Sequence, residues 1–295
     1  MSHEHPHVLS DHCGGHDHHF EPVRLGRRRF LELMGAGAGA AFLAACGGGK
    51  RSASSSGVTP QGLLAPVTWF GQSALQWKVG DLVLYVDPGS WVKGKSAPPA
   101  SVILITHAHS DHFVKDDLAE ISNERTTFVA PADVAQMIGG NVKAVKPGDS
   151  LEVAGIKVDA VPAYNRERPG GEPAHPKAKN WVGYILTIGG KRYYHAGDTD
   201  VQPELEAIKA DAAFLPIGGA PFTMGVPDAG GLVQKIKPVV AVPIHYGFVT
   251  VPPGAFGNPS PIVVGTQSDG RRFRTTAASV DVRVLEPKTP FSNVN

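Results

Sequence analysis

The run Thr106-His107-Ala108-His109-Ser110-Asp111-His112 directly follows the apolar stretch Ser101–Ile105, and this constrains the fold more than any other feature. A short apolar run of that kind reads as a buried strand, so the histidines sit on the loop that leaves its end. Two further segments repeat the arrangement: His195-Ala-Gly-Asp198-Thr199 and Pro243-Ile-His245-Tyr246-Gly247 each close a hydrophobic run. Imidazole nitrogens and carboxylate oxygens are ligands that borderline cations such as zinc accept. In an extended loop, His107 and His109 point to the same side and offer two imidazoles to one cation, while Asp111 and His112 turn toward a second. A chain that brings such groups to the ends of successive strands is building a metal site.

Composition narrows the setting. The 295 residues carry a formal net charge of +1, with 42% hydrophobic and 19% charged residues, ordinary for a globular protein and without the basic excess that nucleic acid attracts. No nucleic-acid partner is expected. The cysteines are Cys13 and Cys46, too few and too N-terminal for a disulfide framework. Neither a phosphate-binding loop nor a serine nucleophile elbow occurs, and Gly35–Gly39 has export-signal composition.

The first 45 residues read as an address. Arg27-Arg28-Arg29-Phe30-Leu31 has the pattern of a twin-arginine export signal, Leu33–Ala45 is a mildly apolar stretch, and Leu43-Ala44-Ala45-Cys46 resembles a lipobox. The mature chain would begin at a lipidated Cys46, anchored to a membrane at the cell envelope and holding no other thiol. Seven of the thirteen histidines (His3, His5, His7, His12, His16, His18 and His19) then belong to a discarded leader. Residues 46–65, with the Gly/Ser-rich run Gly47–Gly57, read as a flexible tether, and 66–290 as the functional domain.

From Val67 onward, hydrophobic runs alternate with turns. Strands are expected at Val67–Phe70, Ala74–Val79, Leu82–Val86, Ser101–Ile105, Thr127–Ala130, Ser150–Val153, Lys157–Pro162, Trp181–Ile188, Lys191–His195, Ala212–Pro216, Val239–Ile244 and Val280–Leu285. Helices are expected at Asp116–Ser122, Asp133–Ile138, Pro203–Lys209 and Pro227–Ile236. Such a balance predicts an α/β (αββα) sandwich, two mixed sheets face to face with helices outside.

With these residues in view, the chain resembles the metallo-β-lactamase-fold hydrolases. Tyr194–Asp200, Leu215–Gly219 and Lys237-Pro238…Pro243–Gly247 look most like the ascorbate-6-phosphate lactonase-like branch, with N-acylphosphatidylethanolamine-hydrolysing phospholipase D more distant. The resemblance spans about Val67 to Gly247, in the family's order. It implies two divalent ions, most readily zinc, with manganese or iron as alternatives. His107, His109, Asp111 and His112 would be ligands, Asp198 would bridge both ions, and His245 would complete the second. A hydroxide between the ions would cleave an ester, lactone or phosphodiester of a small-molecule or lipid-linked substrate, with Asp111 or Asp198 taking up the proton.

One position departs from the family. Where many relatives place a third histidine for the first ion, Val161-Pro-Ala-Tyr164-Asn165 has Asn165; His175, ten residues on, is the candidate replacement. Asn165 is then support or a weak ligand. Asp87, His195 and Tyr246 are expected to support ligands or touch substrate, and Met224 to pack near the mouth. Arg166, Arg168, Arg271, Arg272 and Arg274 are of the type that grips phosphate or carboxylate, although scattered surface arginines are commoner than anion sites. Thr250–Asp269 reads as a rim or lid. Two other classes fit the same ligands: a mononuclear iron sulfur dioxygenase, and a non-catalytic zinc-binding lipoprotein.

Overall fold

The computed structural model describes residues 57–169, 171–248, 250–251 and 262–291, so the segment expected to be an export signal, and Cys46, lie outside the described residues. A short helix, α1 (Pro60–Leu64), leads into a meander of β1 (Val67–Gly71), β2 (Ala74–Val79) and β3 (Leu82–Val86). Next come β4 (Val102–Leu104), α2 (Lys115–Leu118), β5 (Thr127–Pro131), α3 (Ala132–Ile138) and β6 (Val142–Val145). These six strands form one sheet in chain order, antiparallel through β3 and parallel from β3 to β6.

The second sheet holds β7 (Ser150–Val153), β8 (Ile156–Pro162), β9 (Val182–Ile188), β10 (Lys191–His195), β11 (Ala212–Pro216), β12 (Val240–Ile244) and β15 (Asp281–Val282). Its order is β15-β12-β11-β10-β9-β8-β7, antiparallel from β7 to β10 and parallel from β10 to β15. Helices α4 (Val226–Ile236) and α5 (Gln267–Thr276) accompany it, and β13 (Thr250–Val251) pairs with β14 (Ile262–Val263) as a small ribbon.

Alternation along the strands makes the sandwich. Successive side chains of a strand face opposite sides, so Leu84, Val86, Val102 and Leu104 enter the core between the sheets. Their neighbours Val83, Tyr85, Ile103 and Ile105 pack on the other side with Phe113, Leu118, Ile121 and Val134. The inter-sheet core includes Trp77, whose ring meets Tyr193 and Phe214 edge-on at 5.8 and 5.4 Å. Each large side chain fully buried there contributes roughly 1.5–3 kcal/mol. On the far side of the second sheet, α4 buries Ala229, Leu232, Val233 and Ile236. The expected αββα arrangement is the observed one.

Several local expectations need correction. The helix expected over Asp116–Ser122 is the single turn α2, and Pro203–Lys209 is a 3₁₀ helix over Pro203–Ala207. The last strand shrinks to Asp281–Val282. Within the stretch read as tether, α1 is capped by the Thr59 hydroxyl and buries Leu63 completely, so packed structure begins before residue 66. At the other end Phe291 packs on Trp69 and Tyr246, one residue beyond the expected boundary. Besides α1, the ribbon strands β13 and β14 and a 3₁₀ turn at Lys177–Lys179, two more elements had no forecast. The β6 strand buries only Val145 of its four residues, and α5 turns inward only Asp269, Gly270 and Phe273. Neither carries an apolar period that a sequence reading can detect. Part of the expected rim Thr250–Asp269 is α5, begun by a capping box between Thr266 and Asp269; residues 252–261 lie outside the described residues.

Candidate metal centre

The parallel strands of both sheets end along one edge, and the polar side chains converge there. The end of β3 supplies Asp87, the loop after β4 supplies His107 to His112, the turn after β10 supplies Asp198, and the end of β12 supplies His245. Gly197 makes the β10 turn feasible: its φ is +64°, and a Cβ there would lie 2.9 Å from the Val182 carbonyl oxygen. The β9 strand approaches just as closely, since a Cβ on Gly183 would stand 2.5 Å from the Ala196 oxygen.

Three overlapping sets of donor atoms result, the middle one being His107, His112 and Asp198. His107, His109 and His175 form one outer set, with His107 Nε2 lying 3.2 Å from both His109 Nδ1 and His175 Nε2. Asp111, His112 and His245 form the other, Asp111 Oδ2 standing 3.6 Å from His112 Nε2 and 3.4 Å from His245 Nε2. Asp198 lies between them. Its Oδ2 is 4.0 Å from His107 Nε2, 3.4 Å from His175 Nε2, 3.4 Å from His112 Nε2 and 2.8 Å from His245 Nε2.

Neighbours hold the imidazoles so that the inward nitrogens stay available. His112 Nδ1 donates to Asp87 Oδ2 at 2.8 Å, and Asp87 also accepts from the Thr106 amide and hydroxyl, each at 2.7 Å. The Thr106 hydroxyl in turn accepts from His107 Nδ1 at 2.9 Å. His175 Nδ1 donates to Asn165 Oδ1 at 2.8 Å, while Asn165 Nδ2 donates to the Phe222 carbonyl, which fixes the amide's orientation. Of the two, His175 points its Nε2 into the cluster, and Asn165 holds its Nδ1. Such partners behind a ligating imidazole set its tautomer and basicity.

Other expectations sort themselves by contact. His195 uses both ring nitrogens on backbone, Nε2 donating to the Ser73 oxygen at 2.9 Å and Nδ1 accepting from Gly197 at 3.2 Å, so it supports the turn and offers no ligand. Of the two expectations for Tyr246, support and substrate contact, its place fits support: fully buried and stacked on Trp69 at 5.6 Å, it packs in the core next to His245. Met224 is fully buried. Arg168 pairs with Asp200 at 2.8 Å and Arg166 donates to the Val201 carbonyl, so both pin the His175 loop to the Asp198 turn. Arg271, Arg272 and Arg274 lie exposed on α5, Arg272 paired with Asp269. Sequence reasoning missed Gln72 and Trp181. The Trp181 ring lies 5.1 Å from His107 and from His109 and 5.7 Å from His175.

Electrostatics separate the two outer sets. Burial holds His107 well below the usual imidazole range, lowers His109, and brings His175 down to about 3. Burial acts the same way on His245, but Asp198 and Asp111 outweigh it and raise this group to about 9. His112 is likewise raised against burial, by Asp198, Asp111 and Asp87. Asp198 is held well below the carboxylate range because His245 and His112 overcome its burial. The residues fit a cation well: His112 Nε2 and Asp198 Oδ1 are buried without hydrogen-bond partners, in a donor set of imidazole and carboxylate.

The family comparison agrees with this geometry. A model described as the beta-lactamase superfamily domain matches residues 66–245. A UPF0173 metal-dependent hydrolase of Methanopyrus kandleri is 30% identical over 75% of this chain and 96% of its own length. This chain belongs to the UPF0173 metal-dependent hydrolases of the beta-lactamase superfamily. A second UPF0173 member, from Thermoplasma acidophilum, is 33% identical over 70% of this chain and 86% of its own. Among solved structures, a metallo hydrolase of Ignicoccus hospitalis superposes with a TM-score of 0.56 at 25% identity, covering 75% of this chain and 94% of the other. This UPF0173 protein is thus a metal-dependent hydrolase, and its described residues contain the clusters that could bind the metal.

Proposed function

We propose that this hydrolase works with two divalent ions, one held by His107, His109 and His175 and the other by Asp111, His112 and His245, with Asp198 shared. The observation that carries the reading is the position of Asp198 Oδ2, within 4.0 Å of an inward nitrogen of His107, His112, His175 and His245. Ions at such a site acidify water toward neutrality and polarise the scissile carbonyl or phosphoryl oxygen; zinc suits the ligands best, with manganese and iron as alternatives.

The chain's own residues supply the rest. Asp87 and Thr106 hold His112 and His107 in the tautomers that present Nε2, and Asn165 does the same for His175. Trp181 shields the histidine trio on one flank. Asp111, whose side chain is 26% exposed against 3% for Asp198, is the carboxylate that can take up the proton of the attacking water and return it to solvent. The substrate reading is a phosphodiester, lactone or ester ahead of a β-lactam. It is supported by the resemblance of Tyr194–Asp200 and Pro243–Gly247 to the ascorbate-6-phosphate lactonase-like branch and, more distantly, to a phospholipase D. The export and lipobox patterns at Arg27–Leu31 and Leu43–Cys46 favour a lipid-anchored enzyme acting on an envelope substrate, small or lipid-linked.

The test joins metal analysis to a panel of bis-p-nitrophenyl phosphate, ester and lactone substrates, run with the Asp198→Ala variant and with oxygen uptake recorded. The expected outcome is two ions per chain, hydrolysis without oxygen consumption, and a loss of roughly three orders of magnitude in kcat/KM in the variant. An Asp198→Ala protein as fast as the parent would overturn the mechanism. Oxygen consumption with a single iron would point to a dioxygenase, and tight metal binding with no turnover to a storage or sensing role.

A further inference from the structure

We propose that Gln72 is a further ligand of the ion assigned to Asp111, His112 and His245, acting through its amide oxygen. The inference rests on the two-ion reading above and concerns a residue type that a search for histidine and carboxylate ligands passes over.

Gln72 lies in the tight turn between β1 and β2, with φ at +47° and no exposure. A glutamine is uncommon in that backbone region, and its presence there needs a reason in the surroundings. The turn is fastened to the opposite sheet. The Gln72 carbonyl accepts from the His245 amide and from Trp69 Nε1, each at 2.9 Å, and the next carbonyl, Ser73, accepts from His195. Backbone contacts therefore aim the Gln72 side chain at the end of β12.

The carboxamide reaches the ligand atoms themselves. Its Nε2 position lies 2.9 Å from Asp111 Oδ2 and 2.9 Å from His245 Nε2, and those two atoms are 3.4 Å apart. Donor atoms about 2.1 Å from a common ion stand roughly 3.0–3.4 Å from one another, so the amide end has the spacing of a co-ligand. Oε1, on the other branch, is buried with no hydrogen-bond partner. The two branches of a carboxamide have nearly the same shape and exchange by a half-turn of the last torsion. With nitrogen inward, the group would donate into the lone pairs of Asp111 and His245 that a cation needs. With oxygen inward, it offers one more lone pair to the same cation, and the amide nitrogen moves to the other branch. The Asp111 side of the cluster thereby becomes richer in oxygen donors than the trio of imidazoles, which favours harder ions there.

The experiment measures metal binding by the full-length protein, with no activity assay. Parent, Gln72→Met and Gln72→Glu proteins are stripped with chelator and titrated with cobalt(II), following ions bound per chain by equilibrium dialysis and the visible cobalt bands. Thermal melting of the stripped proteins serves as the folding control. Methionine keeps the length without the oxygen; glutamate keeps the oxygen but cannot donate. Gln72→Met is expected to weaken one of two ions by about 10–100-fold, with altered cobalt bands and the other ion unchanged, while Gln72→Glu holds that ion at least as tightly as the parent. The proposal is overturned if Gln72→Met matches the parent in affinity and spectrum, or if Gln72→Glu loses the ion as Gln72→Met does, which would make the amide a donor. Should Gln72→Met fail to fold, Gln72→Glu decides alone: unchanged bands or loss of the ion overturn the proposal, and shifted bands with binding at least as tight as the parent's support it. A parent that takes up one ion only defeats the two-ion reading; Gln72 is then judged by whether Gln72→Met changes that ion's spectrum.

Discussion

The two halves of the metal centre are built from similar side chains yet sit in opposite electrostatic settings. His107, His109 and His175 lie against the Trp181 ring, and burial keeps all three neutral, His175 down to about 3. His112 and His245 face Asp111 and Asp198, and His245 is raised to about 9. A cation needs neutral imidazoles. Under the two-ion proposal the trio is already in the form that binds, whereas the Asp111 side would release protons on binding. The same residue type is held neutral in one place and as half of an ion pair a few ångströms away, and only the neighbours differ.

The sharpest way to break the comparison is to delete one ligand from each half. His175→Ala is expected to weaken one ion by at least about 10–100-fold and leave the other in place, and His245→Ala to do the reverse. Metal per chain at graded chelator concentration measures both, and joint loss of both ions in either variant would show that the halves act as one unit. A smaller effect is expected one layer out. Asp87→Asn removes the charge that accepts from His112 Nδ1 and Thr106, and Asn165→Ala removes the acceptor of His175 Nδ1. Each should cost its own half about 10-fold in metal affinity, with Asp87→Asn also lowering the melting temperature because its partners are buried.

The smallest effect is one of pH, seen in the chelator-stripped protein. His175, depressed to about 3 from 6.5, contributes stability above pH 6.5 that is lost as pH falls from 6.5 toward 3, and His107 and His109 act in the same sense. His245, raised to about 9, contributes stability below pH 6.5 that is lost as pH rises through about 9, with His112 in the same sense. The melting temperature should therefore peak near pH 6.5, changing on the order of 2–4 °C per kcal/mol on either side. His175→Ala should flatten the acid limb and His245→Ala the alkaline one. A profile that both variants leave unchanged would remove the electrostatic contrast.

Much of this was legible beforehand. Most strands announced themselves as apolar runs closed by Gly, Pro or Asp, and the two-sheet sandwich followed from their number. His107, His109, Asp111 and His112 stood together in seven residues, and Asp198 and His245 each closed a hydrophobic run. The elements that escaped were those without an apolar period: α5 hides a buried Phe273 among arginines and threonines, and β6 buries one residue in four. Arg166 and Arg168 had the chemistry of anion binders, but the fold spends them on Asp200 and the Val201 carbonyl.

The sequence by itself determined the donor types, their order along the chain and the strand ends that carry them, because strand periodicity and turn chemistry act over a few neighbouring residues. Tertiary structure decided which side chains meet. His175 reaches His107 across 68 residues of chain, and Gln72 reaches His245 across 173. The turn of Asn165 toward His175, and the burial of Tyr246 against Trp69, were settled by the same packing of one sheet on the other. Contacts of that range depend on how two sheets pack and where their strand ends coincide, and no local pattern encodes that coincidence.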